Sequence, residues 1–282
     1  MSRVAVVGAG TMGNGIAHVF SQAGWETVLI DSSADAIARG MGTIEKNTER
    51  QASKGVMTAS ERRELLARLS TSTSLEAAKD AEMVVEAATE DPTTKFTLFH
   101  ALSRITTPST ILASNTSSIS ITEIAKHTDR PANVIGMHFM NPVPIMKLVE
   151  VIRGKETSDE TAMKVVEVVK VLNKTPVEVN DAPGFVSNRV LMPMINEAIF
   201  CVQDGIATAA GVDEVMKLGM NHPIGPLALA DLIGLDVCLS IMKVLQEGLD
   251  KAKYRPAPLL EKMVAAGQLG RKSGQGFYAY RD

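Results

Sequence analysis

The chain opens on an apolar run, Val4-Ala5-Val6-Val7, that passes straight into Gly8-Ala9-Gly10-Thr11-Met12-Gly13 and then a helix-compatible segment, Asn14 to Gln22. A buried strand, a glycine turn and a helix in that order begin a βαβ unit. Gly8 and Gly10 permit a tight turn and close approach of backbone to a pyrophosphate. Gly13 lets the helix pack on the sheet, and the helix N-terminus favours negative charge, with Thr11 and Met12 between the second and third glycines also counted as cofactor-binding. The next apolar run, Thr27-Val28-Leu29-Ile30, ends on Asp31, 18 residues beyond Gly13. A carboxylate there accepts hydrogen bonds from an adenosine ribose and repels a 2′-phosphate, and no arginine stands beside it. These residues point to a dinucleotide, NAD in preference to NADP, with NADP left open.

The alternation continues. Met83–Val85, Thr110–Ala113, Val134–Phe139, Leu148–Ile152 and Val177–Val179 read as further strands, with helical patterns between them. Such a chain folds as a doubly wound α/β sheet of Rossmann type. A long polar stretch, Ser33 to Arg68, interrupts it; Gly55 and the start signal Thr58-Ala59-Ser60-Glu61 split that stretch into an inserted helical hairpin. From Gly184 onward the apolar spacing is helical throughout. The expected organisation is a dinucleotide-binding domain over 1–183 and an all-α domain over 184–282.

Composition limits the partners. With 29 basic and 32 acidic residues the formal charge is −3, which argues against a general nucleic-acid binder. The stretch Ile224 to Met242 is broken by Pro226, Asp231, Gly234 and Asp236, so buried helices are expected rather than a membrane span. Cys201 and Cys238 lack metal-ligand spacing, no HExxH-type pattern occurs, and no secretory signal precedes the first strand. A soluble cytoplasmic protein without a metal is the expectation.

Candidate chemistry lies around a proline turn. If the runs flanking Pro144 fold back antiparallel, residues whose numbers sum to 288 face each other, and His138 meets Glu150. Glu150 shares a strand face with Leu148 and Ile152, where a carboxylate needs a partner. Histidine exchanges protons near neutral pH, and a carboxylate orients it and stabilises its cation. On pattern alone, a solvated edge Glu with a satisfied core His is the somewhat favoured reading. Ser114-Asn115-Thr116-Ser117-Ser118 follows a strand at the mouth of the sheet, where it binds a ligand or caps a helix at 119–125. Asn188 sits just inside the first helix after Pro183-Gly184. Lys46, Arg50 and Lys54 share one helix side, suited to a polyanion or to a mixed-charge solvated surface.

Taken together, these motifs resemble the 3-hydroxyacyl-CoA dehydrogenase family, closest to its short bacterial 3-hydroxybutyryl-CoA members. The resemblance spans essentially the whole chain. It is carried by the glycine turn, Ser114–Ser118, His138-Phe139-Met140-Asn141-Pro142-Val143-Pro144, Leu148–Ile152, Asp181–Arg189 and Gly270–Tyr278. It implies an active site in the cleft between a Rossmann domain and a helical, dimer-forming domain, and an acyl-CoA substrate. His138 is then the proton-transferring residue, Glu150 its orienting partner, and Ser117 and Asn188 substrate hydrogen-bonding groups. Glu90, Lys95, Asn115, Ser117, Asn141 and Lys272 lie by the nicotinamide cofactor, and Lys54, with Arg50 beside it, contacts coenzyme A. Phe139-Met140 departs from the Phe-Phe often seen in relatives. Two other readings remain: a dehydrogenase of a free hydroxy acid, and a non-catalytic dinucleotide-binding protein. The apolar residues Leu191, Met192, Met194, Ile195, Ile199 and Phe200 are expected on a homodimer face.

Overall fold

The computed structural model describes residues 2–280, which form two compact units dividing between Asp181 and Ala182. The first unit runs β1 (Arg3–Val7), α1 (Thr11–Gln22), β2 (Glu26–Ile30), α2 (Ala34–Ser53), α3 (Ala59–Ala67), β3 (Leu69–Ser72), β4 (Met83–Glu86) and α4 (Pro92–Ile105). It continues through β5 (Ile111–Ser114), α5 (Ile121–Ala125), β6 (Val134–Phe139), β7 (Leu148–Arg153), α6 (Asp159–Val171) and β8 (Thr175–Asn180). The eight strands make one sheet in the order β3-β2-β1-β4-β5-β6-β7-β8.

The pairs from β3 through β6 are all parallel, and the sheet reverses only at β7, which lies antiparallel to β6 and parallel to β8. The chain winds outward from β1 in both directions, so β1 and β4 form the switch point where a crevice opens beyond the strands' carboxyl ends. Val4, Val6 and Val85 pack there against Ile16, Val19 and Phe20 of α1. Burial on both faces is why these strands read as unbroken apolar runs.

The inserted hairpin is α2 and α3. Thr58 starts α3 with a capping box: its hydroxyl accepts the Glu61 N–H, and the Glu61 carboxylate accepts the Thr58 N–H. Strand β3 is an element that periodicity does not reveal. Its Leu-Ser-Thr-Ser sequence is polar because it sits at the sheet edge beside β2 alone.

The second unit is helical: α7 (Ser187–Gln203), α8 (Ala209–Gly219), α9 (Pro226–Ile233), α10 (Leu235–Gly248) and α11 (Pro258–Ala265). Its core joins Met192, Ile195 and Ile199 of α7 to Leu227, Leu239, Met242 and Leu260. Gly234, at φ +105°, breaks the apolar stretch between α9 and α10, and among the described residues no helix is long and apolar enough to cross a membrane. The expected dimer face needs correction. Met192, Ile195 and Ile199 are buried within this unit's own core, with Leu191 and Phe200 packed against it. Exposed apolar side chains of this unit include Val190 on α7, Leu232 on α9, and Ile206, Val215, Leu218 and Met220 on and beside α8.

Candidate active site

Gly8 takes φ +105°, and a Cβ there would lie 2.5 Å from the Ala87 carbonyl oxygen, so the turn sits directly on the end of β4. A Cβ on Gly13 would fall within 1.7 Å of the Gly8 oxygen, which ties α1 to its own turn. At Gly10 nothing lies within 4 Å of the added atom. Gly10 is also the N-cap of α1 and offers no side-chain cap, so the first-turn N–H groups of a twelve-residue helix face open space. The Asp31 carboxylate accepts the Ala9 N–H at 2.8 Å and the Ser33 N–H at 2.9 Å, one on each oxygen. Each oxygen keeps lone-pair capacity for a ribose hydroxyl. These features fit a dinucleotide: room for pyrophosphate at Gly10, donors from α1 and an acid for the ribose.

His138 and Glu150 meet as the antiparallel register requires, β6 pairing Gly136 with Ile152 and His138 with Glu150. His138 Nδ1 and Glu150 Oε2 are 2.8 Å apart, and both residues are buried. A carboxylate only accepts, so Nδ1 carries the hydrogen of this contact, and in that tautomer Nε2 is the nitrogen at which the ring exchanges a proton. The connecting loop is secured by Lys174, whose ammonium donates to the Val143 and Met146 carbonyls at 2.6 and 2.7 Å. Burial, helped by the charge of Lys147, pushes the Lys174 amine down to about 8. Val143 also packs on α1, where a Cβ on Gly15 would come within 2.8 Å of it.

The loop after β5 does not cap α5. Ser120 does that, accepting the Glu123 N–H, which leaves the residues before it to another partner. Glu90 Oε1 accepts the N–H groups of Ser117 at 2.7 Å and Ser118 at 3.0 Å, and the Thr116 hydroxyl at 2.7 Å. Burial raises the Glu90 carboxyl, but Lys95 and the donors from Thr116, Ser117 and Ser118 outweigh it and hold the group below the usual carboxylate range. Asn115 Oδ1 accepts the Phe139 N–H at 2.9 Å, joining this loop to the strand of His138.

The two family models that match are the 3-hydroxyacyl-CoA dehydrogenase NAD-binding domain, over residues 3–182, and the C-terminal domain of the same family, over 184–280. The chain belongs to the 3-hydroxyacyl-CoA dehydrogenase family. It is accordingly an NAD-binding oxidoreductase. A probable 3-hydroxybutyryl-CoA dehydrogenase of Bacillus subtilis is 56% identical over 100% of this chain and 98% of its own length. The 3-hydroxybutyryl-CoA dehydrogenase of Clostridioides difficile is 50% identical over 99% of each. The crystal structure of (S)-3-hydroxybutyryl-CoA dehydrogenase from Ralstonia eutropha superposes with a TM-score of 0.97 at 48% identity, covering all of both chains.

The first unit of this family member thus assembles Gly8–Gly13, Asp31, Glu90, Lys95, Asn115, Ser117, His138 and Glu150 by direct contacts or at the carboxyl ends of neighbouring parallel strands. Asn141 is exposed on the β6–β7 loop. Arg50 and Lys54 are exposed at the end of α2. In the second unit Asn188 is buried on the first turn of α7, and Lys272 pairs with Asp236 at 2.6 Å. Sequence reasoning missed Lys174 and Glu86. The signal for Glu86 was present, since a lone acid ended the apolar strand Met83-Val84-Val85 nine residues before Lys95.

Proposed function

We propose that the protein interconverts an (S)-3-hydroxyacyl-CoA and the 3-ketoacyl-CoA, with 3-hydroxybutyryl-CoA and acetoacetyl-CoA as the four-carbon pair. The observation that carries this reading is the buried His138–Glu150 pair, 2.8 Å apart, in a family member whose relatives bear that name. Gly8–Gly13 and Asp31 would hold NAD, which would supply the hydride acceptor for substrate C3. His138 Nε2 takes the C3 hydroxyl proton as the C–H bond breaks, and Glu150 stabilises the imidazolium that forms. In reduction the imidazolium returns that proton to the C3 oxygen. Positioned proton transfer of this kind accelerates a step by roughly a hundredfold to ten-thousandfold.

Ser117 and Asn188 are the hydrogen-bonding groups for the substrate, and Arg50 and Lys54 the cations for its coenzyme A phosphates. Glu90, Lys95, Asn115, Asn141 and Lys272 line the nicotinamide side. Asp31 favours NAD over NADP. Residues 1–183 serve as the dinucleotide domain and 184–282 as the substrate and dimerisation domain, in a cytoplasmic homodimer. The exposed apolar patch on and beside α8 supports the dimer, since interfaces that persist are rich in apolar surface.

The test is reduction of acetoacetyl-CoA, followed by NADH and then NADPH absorbance, with His138→Gln alongside. The wild type turns over faster with NADH, and the variant loses at least about a hundredfold in kcat while still binding NADH. Turnover of a free hydroxy acid with none of the thioester would replace the substrate. A fully active His138→Gln would remove His138 from the mechanism.

A further inference from the structure

Glu86 closes β4 and is 0% exposed, in a strand otherwise made of Met83, Val84 and Val85. A carboxylate in such surroundings is costly unless its charge and lone pairs are met. Both are met here. The Lys95 ammonium lies 2.7 and 2.8 Å from the two oxygens, the Ala88 N–H donates at 2.8 Å, and the Ser114 hydroxyl donates at 2.7 Å. Lys95 is itself 1% exposed, and its ammonium has a second carboxylate neighbour, Glu90 Oε2, at 3.5 Å. Glu90 turns its other oxygen to the backbone of Ser117 and Ser118.

Two carboxylates therefore compete for one buried ammonium. Glu86 has the short contacts, which leaves Glu90 to hold the loop. An ammonium stripped of Glu86 would be a buried charge with Glu90 as its remaining carboxylate, and it would draw Glu90 into direct contact, since charge-assisted hydrogen bonds of this type form at about 2.7–2.9 Å. The carboxylate that moves is the one seating Ser117.

We propose that Glu86 is a positioning residue: by neutralising Lys95 it keeps Glu90 on the Thr116–Ser118 loop and so keeps Ser117 in place for the substrate. The inference rests on the role proposed above for Ser117 and deepens it.

The experiment is a double-variant cycle on the full-length enzyme, read by acetoacetyl-CoA reduction at saturating NADH. Glu86→Gln retains volume and one acceptor oxygen, for the Ala88 N–H, while its amide NH2 stands where Oε2 accepts the Ser114 hydroxyl, and it loses the charge; kcat falls at least about tenfold and KM for acetoacetyl-CoA rises. Lys95→Met in the wild-type background is harmful, because it strands Glu86. Added to Glu86→Gln it becomes beneficial to kcat at saturating NADH, because the stranded cation is gone and Glu90 returns to the loop, while the loss of Lys95 beside the cofactor shows as a raised KM for NADH. The double variant regains at least about fivefold in kcat over Glu86→Gln. A buried ion pair that only stabilised the fold would give the same reversal in melting temperature but would leave KM for acetoacetyl-CoA unmoved, so the double variant must also lower the KM raised in Glu86→Gln. Wild-type constants in Glu86→Gln, or a double variant no faster than Glu86→Gln, overturn the proposal. Should Glu86→Gln prove insoluble, a soluble and active double variant supports it and an insoluble one counts against it. Wild-type inactivity towards acetoacetyl-CoA overturns this proposal and the functional reading together, whereas an active wild type without the reversal removes only the role of Glu86.

Discussion

Glu150→Gln separates the charge of the histidine's partner from its shape. The amide oxygen can still accept the Nδ1 hydrogen of His138 across the same 2.8 Å, so the ring keeps its orientation and Nε2 remains the reacting nitrogen. What disappears is the attraction between carboxylate and imidazolium. Two unit charges about 4 Å apart attract by about 4 kcal/mol at an effective dielectric constant of about 20. The neutral hydrogen bond that remains offsets about 1 kcal/mol of this, and a charge-assisted bond contributes about 1.5–3 kcal/mol in measured series. Neither residue is exposed enough for water to screen the pair. A loss of about 1.5–3 kcal/mol corresponds to roughly 10- to 100-fold in rate. The assay is kcat for 3-hydroxybutyryl-CoA oxidation, where imidazolium charge builds towards the transition state, across the neutral pH range. Circular dichroism melting confirms the fold. Glu150→Ala, which removes orientation as well, must be worse than Glu150→Gln. A Glu150→Gln enzyme within about threefold of wild type at every pH, with an unchanged profile, would refute the charge-stabilising role.

Asp31→Asn keeps an acceptor for the Ala9 N–H and removes the charge that repels a 2′-phosphate; the ratio of kcat/KM for NADH to that for NADPH should fall about tenfold, and an unmoved ratio would detach Asp31 from cofactor choice. Burial, reinforced by the charge of Lys174, lowers the pKa of His18 against the opposing pull of the Gln51 and Gln22 side chains. The unfolded chain therefore binds this proton more readily than the folded one, and stability declines as pH falls below the unfolded value of about 6.5 towards the lower folded value. Melting temperature should drop from pH 7.5 to 5.5 and drop less steeply in His18→Gln; equal slopes would sink the assignment. Leu218, 81% exposed on α8, is the place to test the proposed homodimer: Leu218→Asp should run at half the wild-type mass in light scattering with acetoacetyl-CoA reduction as a folding check. A wild type that is monomeric at micromolar concentration would end the dimer proposal.

The legible parts of the site are those whose information is local. Residues 4–13 announce a strand, a turn that demands glycine and a helix start within ten positions, and the structure adds only the reason for each glycine. The His138–Glu150 pairing was legible because a side-chain period of two leaves an antiparallel hairpin few registers, and a one-residue slip would turn Glu150 to the opposite face. The α2–α3 hairpin was legible from the Thr58 and Glu61 capping pair. The illegible parts depend on neighbours far along the chain. Strand β3 is polar because it is an edge, and nothing in Leu69–Ser72 says that β2 will lie beside it.

By itself, then, the sequence determined the Rossmann-type alternation, the glycine turn and the register that sets His138 opposite Glu150, since each follows from backbone periodicity or glycine stereochemistry over short spans. Only the tertiary structure decided which charges and apolar groups are removed from water. It buried Met192, Ile195 and Ile199 in the core of the helical unit and left Ile206 and Leu218 outside. A helix apolar on several sides carries no mark of which side its neighbours will cover. The fold likewise enclosed Glu86 and Lys95 between β4, β5 and α4, and set Glu90 between that buried ion pair and the backbone of Ser117.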